Sequence, residues 1–156
     1  MWKPEVREHS GLVAVGISVR TSNDRESHPD TANITKLWQR YYQDTIATAI
    51  PNKKPASPPM GIYTDYESNS SGEFTLVVGH EVESEDGTLP EGLQRVVVPK
   101  GRYLVFVVNG DPPASVKSTW VEIGKFFENK TEFRRTFTAD FEIYRADGAE
   151  IFVAIE

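Results

Sequence analysis

Apolar positions along this chain come in short runs rich in Val, Ile, Leu and Phe. Two stretches differ: there apolar residues recur every three or four positions. The short runs read as strands and the spaced stretches as helices. Residues 6–19 form the first strand region, broken at Ser10-Gly11; beyond the break, 12–19 are almost wholly apolar, as in a strand covered on both faces. Residues 20–29 are polar and read as a loop. Asp30 or Thr31 is placed to cap a helix with Ile34, Leu37, Trp38, Tyr41, Tyr42 and Ile46 on its apolar face, and Pro51 ends it. A Pro- and Lys-rich loop covers 52–59. Residues 60–66 and 74–82 read as strands flanking a Ser/Asn/Gly turn at 67–72, the pattern of an antiparallel hairpin.

After an acidic loop at 83–92 the order returns. Strand 93–98, turn 99–102 and strand 103–108 lead into a helix opened by residues 109–113, with Val116, Trp120, Ile123, Phe126 and Phe127 on its apolar face. A charged loop at 130–135, strand 136–144, hairpin turn 145–148 and strand 149–155 complete the chain. The two halves, about 4–83 and 93–156, thus share one pattern of strand, strand, helix, strand, strand. Thr35-Lys36-Leu37-Trp38 aligns with Lys117-Ser118-Thr119-Trp120, and Gly61-Ile62-Tyr63 with Glu142-Ile143-Tyr144. A repeat of this kind predicts two related halves whose strands pool into one antiparallel sheet, an α+β fold with two main helices in a single domain. Where the first half has Gly61, the second has Glu142.

Composition narrows the function. The 156 residues suffice for one domain with a real core. A net charge of −6 argues against a nucleic-acid surface, which needs clustered Lys and Arg. There is no Cys, so no disulfide framework or thiolate metal site is possible. The start, Met1-Trp2-Lys3-Pro4-Glu5, lacks the apolar stretch of a signal peptide, and no run approaches a membrane span, so the expected location is the cytoplasm. His9, His28 and His80 lack ligand spacing, and no metal or other cofactor is expected.

The candidate chemistry centres on Glu142, set in the run Asp140-Phe141-Glu142-Ile143-Tyr144. Glu is disfavoured in strands. Either it faces water on a half-exposed strand, or it sits in a cavity that needs its charge. Trp38 and Trp120 are candidate walls of such a cavity or simply the anchors of their helices. Tyr63 and Tyr144, related by the repeat, either line it or bond backbone through their hydroxyls. Tyr66, Tyr103 and Phe106 are further candidates, although strand alternation puts Tyr103 and Phe106 on opposite faces. Glu81, beside His80, could act with Glu142 as an acid/base pair only if the fold brought them together.

The chain resembles the GyrI-like, or AraC-type, effector-binding superfamily, and within it the stand-alone integron-associated effector-binding proteins. The likeness runs through residues 12–21, Leu37-Trp38, Ile50-Pro51, Gly61-Ile62-Tyr63, Gly79-His80-Glu81-Val82, Val98-Pro99-Lys100-Gly101-Arg102-Tyr103, Trp120 and Phe141-Glu142-Ile143-Tyr144. The resemblance implies a curved sheet of about eight strands and an aromatic pocket with a central Glu that binds lipophilic, often cationic compounds. Glu142 stands at that Glu's position. In regulators of this type a DNA-binding module comes first. Here the first strand begins within about six residues of Met1, so direct control of DNA by this chain is not expected, and a separate regulator protein is the partner to look for. The resemblance leaves two alternatives: hydrolysis of strained electrophilic compounds, and binding of another protein, as in gyrase-inhibitor members. No nucleophile is paired with a base, which favours binding over catalysis.

Overall fold

The computed structural model describes residues 4–129 and 132–156. The start of the N-terminal stretch and the first two residues of the 130–135 loop lie outside them. Eight strands form one antiparallel sheet: β1 (Glu5–His9), β2 (Leu12–Ser22), β3 (Met60–Thr64), β4 (Glu73–Glu81), β5 (Gln94–Val98), β6 (Gly101–Val107), β7 (Ala139–Arg145) and β8 (Gly148–Ile155). Their order is β1-β6-β8-β7-β3-β4-β2-β5. Exchanging β1–β4 with β5–β8 gives the same order read from the other end. The sheet therefore has a pseudo-two-fold axis through its central pair, β3 and β7, and the fold is of the expected α+β class.

The halves exchange their first strands. β1 pairs with β6 and β2 with β5, so neither the break at Ser10-Gly11 nor the turn at Pro99-Lys100 closes a local hairpin. The two connections touch. Gly11, at φ +86°, has room for no side chain, because a Cβ there would meet the Val98 carbonyl oxygen at 2.8 Å.

The helices are α1 (Asn23–Glu26), α2 (Ile34–Gln43), α3 (Ile46–Ala49) and α4 (Ala114–Glu128). Three details differ from the sequence reading. β2 runs on to Ser22 and α1 follows at once, so the expected 20–29 loop is shorter. The start of α2 is satisfied by the Glu26 carboxylate, which accepts from the backbone N–H of Asn33 and of Ile34, rather than by Asp30 or Thr31. Thr45 adopts a left-handed φ of 48°, which ends α2 and puts Ile46 on a separate turn.

Alternation along the strands sorts the core onto two faces. Met60, Ile62, Phe141, Ile143, Tyr103 and Phe152 belong to a cluster made of strand residues alone, all buried. A sheet that buries a face without helices must curl that face onto itself, which matches the curved sheet expected. The other face carries the helices. Leu37 and Tyr41 of α2 pack over Val15, Ile17, Leu76 and Val78, and Val116 and Ile123 of α4 pack over Leu104, Phe106, Ile151 and Val153. Trp120 packs against both helix-side clusters and so stands where the two halves meet. Among the described residues, no helix is long and apolar enough to cross a membrane.

Candidate functional site

Gly61 and Glu142 are counterparts in the repeat, and they are also direct partners in the β3–β7 ladder. The pseudo-two-fold axis therefore passes between them. Two residues on such an axis compete for one space, and only one can carry a long side chain. A Cβ on Gly61 would meet Oε1 of Glu142 at 2.9 Å. The exchange of Gly for Glu is thus what gives the axis a single, central carboxylate.

Glu142 points to the helix side and is only 1% exposed. Oε2 accepts from the Tyr63 hydroxyl at 2.8 Å and from the Trp120 indole N–H at 2.6 Å. Oε1 accepts from the Tyr144 hydroxyl at 2.6 Å. All three donors are neutral, and none of the ion pairs among the described residues includes Glu142. Burial raises its pKa above the usual 4.5, while the three hydrogen bonds act the other way. The phenols of Tyr63 and Tyr144 are raised as well, by burial first and then by the Glu142 charge, so both stay protonated donors.

The aromatic rings repeat the symmetry. Trp120 meets Tyr63 edge to face at 5.2 Å, and Trp38 meets Tyr144 edge to face at 5.1 Å. Each Trp thus pairs with the Tyr of the opposite half. The symmetry breaks at the indole nitrogens, since Trp120 bonds the carboxylate and Trp38 does not. Trp38, Trp120 and Tyr144 are half-buried and form the outer layer over Glu142.

The remaining sequence candidates divide. Tyr66 donates to Asp140, the neighbouring carboxylate on the same face of β7, which also holds Arg135 at 2.6 Å and accepts from the Ala154 backbone N–H at 2.8 Å. Tyr103 lies in the strand-only core, its hydroxyl on the Pro99 carbonyl, and Phe106 is buried under α4. Neither is brought to Glu142. Glu81 pairs with Lys54, and His80 bonds the Tyr41 hydroxyl, so the fold does not join either to Glu142. Two residues escaped the sequence reading. Tyr42, expected on the buried face of its helix, is 66% exposed and lies against Trp38 at 6.3 Å. Arg135 stood in a charged stretch with nothing to mark it as the partner of Asp140. Two surface hollows, of about 600 Å³ beside Arg102 and Arg134 and about 180 Å³ beside Asn109 and Glu122, lie away from the aromatic cluster.

Comparison with known proteins converges on one family. Residues 5–156 match the family described as integron-associated effector binding protein, Cass2. The YobU protein of Bacillus subtilis (strain 168) is 30% identical over 149 residues, covering 90% of each chain. An integron cassette protein from the mobile metagenome of Vibrio cholerae superposes with a TM-score of 0.83 at 30% identity, covering 98% of this chain and 95% of the other. The SAV2435 protein, solved bound to tetraphenylphosphonium, has the same fold (TM-score 0.78, 17% identity, 99% and 94% coverage).

Proposed function

The chain belongs to the integron-associated effector binding protein family, and on that premise we propose that it binds lipophilic cations, with Glu142 as their counter-charge and Trp38, Trp120, Tyr63 and Tyr144 as their walls. The observation that carries this reading is the carboxylate itself: buried, held by three neutral donors and matched by no cation among the described residues. A buried charge of that kind is costly, and a cationic ligand supplies what is missing. Facing aromatic rings add cation–π attraction, about 0.5–2 kcal/mol per good contact. Anions are rejected because they would leave two like charges unpaired in the same site. The fold-mate SAV2435, solved with a lipophilic phosphonium, supports the ligand class.

Entry of a ligand parts the half-buried Trp38 and Tyr144 rings. Trp38 rides on α2 beside the exposed Tyr42, so occupancy alters a surface that a separate regulator protein would read. Calorimetric titration with tetraphenylphosphonium and with neutral triphenylphosphine oxide tests the proposal. The cation should bind the native chain and lose at least about tenfold in Glu142→Gln, while the neutral compound is indifferent to the change. Equal cation affinity in both proteins would refute it.

A further inference from the structure

An ionised carboxylate offers about four acceptor positions. Among the described residues, Glu142 uses two on Oε2, for Tyr63 and Trp120, but only one on Oε1, for Tyr144. The pseudo-two-fold axis shows where the fourth donor would stand. Trp120 fills its place on Oε2, whereas its counterpart Trp38 packs on the Tyr144 ring without bonding Oε1. Gly61 adds no side chain of its own to that flank, where a Cβ would sit 2.9 Å from Oε1 and 3.5 Å from the Trp38 ring and from Leu76 Cδ1. The group is nine-tenths buried and more, so water does not complete its shell freely.

We infer that the cationic head of the natural ligand is itself a hydrogen-bond donor, a protonated amine or amidine, and that it docks on Oε1 between Trp38 and Tyr144. This rests on the cation-binding reading of the site and goes further, by naming the chemistry of the head group and the side it occupies. Tyr63 and Trp120 grip Oε2 and stay in place. Trp38 and Tyr144 are the rings that separate, and the incoming N–H takes the open position on Oε1. A permanently quaternary head satisfies the charge but leaves that position without a donor. Charge-assisted hydrogen bonds are the stronger class, so the difference should be large enough to measure.

The test is a matched pair: a lipophilic tertiary amine, fully protonated at the working pH, and its N-methyl quaternary derivative, titrated calorimetrically into the full chain. The protonated amine should bind about 10- to 100-fold more tightly. In Gly61→Ala, whose methyl covers Oε1, that advantage of the protonated amine over the quaternary compound should disappear. The native-protein ratio decides the matter even if that variant does not fold. Equal affinity for the two cations, or tighter binding of the quaternary one, overturns the donor assignment and leaves the cation site standing. Failure of both to bind overturns the cation site itself.

Discussion

Asp140 and Glu142 stand two residues apart on the same face of β7, both buried, yet among the described residues only Asp140 has a cationic partner. Arg135 closes on Asp140 at 2.6 Å and lies over the Phe137 ring at 4.3 Å, and the backbone N–H of Ala154 completes the shell. One carboxylate is therefore built into the fold, and the other is the one proposed above to meet a ligand. Substitution should separate them by sign. Asp140→Asn strands a buried guanidinium and should destabilise by roughly 3 kcal/mol. Glu142→Gln removes an unmatched buried charge, keeps an acceptor for Tyr63 and Trp120, and should stabilise at neutral pH by on the order of 1 kcal/mol. Urea unfolding of both variants, without ligand, checks the pair.

The displaced acidity of Glu142 should make both stability and the proposed cation binding depend on pH. Its folded pKa is raised by burial above the ordinary 4.5, so the folded chain holds this proton longer than the unfolded chain does. Glu142 therefore contributes stability below pH 4.5 that is lost as pH rises through its folded value. Cation affinity runs the other way, because only the ionised form attracts the ligand. Titrations of tetraphenylphosphonium, whose own charge is independent of pH, should show affinity climbing from pH 4.5 and then levelling, with no such climb in Glu142→Gln.

Much of this site was legible in the sequence through the repeat. Aligning Gly61 with Glu142 already marks an asymmetry between the halves, and the three-and-four spacing puts Trp38 and Trp120 on their helix faces. The face Glu142 occupies was not legible. Asp140, Glu142 and Tyr144 alternate with Phe141 and Ile143, which reads equally well as a solvent-facing polar row. Only the helices of both halves, packed over that row, turn it inward. The exchange of β1 and β5 was hidden too, because it joins segments far apart in sequence where local rules favour hairpins. Tyr42 shares the spacing of Leu37 and Tyr41, but α2 ends one residue later and the ring, touching Trp38 and Tyr41, stays mostly exposed.

Gly16 and Gly79 are direct partners in the β2–β4 ladder. A Cβ on Gly16 would lie 2.0 Å from the Val78 carbonyl oxygen, and one on Gly79 would lie 1.9 Å from that of Val15. Both obstacles are backbone, which cannot swing aside as a side chain can. Gly16→Ala and Gly79→Ala should each lose more than about 3 kcal/mol, beyond the usual range for one added methyl in a core. Neither residue touches the carboxylate, so any folded fraction should keep the ligand preference of the native chain. Equilibrium unfolding paired with titration checks both halves of this expectation.

His80 ties α2 to the sheet from beneath. Its Nε2 meets the Tyr41 hydroxyl at 2.5 Å and its Nδ1 the Ser57 carbonyl at 3.0 Å, so the neutral ring donates to Ser57 and accepts from Tyr41. Burial lowers its pKa below 6.5, helped by the nearby Lys53 charge and opposed by the Ser57 and Pro58 carbonyls. A depressed histidine contributes stability above pH 6.5 that is lost as pH falls through its folded value, since the unfolded chain takes up the proton first. Protonation also turns Nε2 from acceptor to donor and sets it against the hydroxyl hydrogen of Tyr41. Three residues before Tyr41 on the same helix is Trp38, so acid should loosen the wall on the Oε1 side while Tyr63 and Trp120 hold Oε2. Thermal unfolding between pH 7.5 and 5 should show a falling midpoint, and His80→Gln, which cannot gain that proton, should flatten the slope. Fluorescence of Trp38, read in a Trp2→Phe, Trp120→Phe background, should change over the same pH interval and stay constant when His80 is replaced.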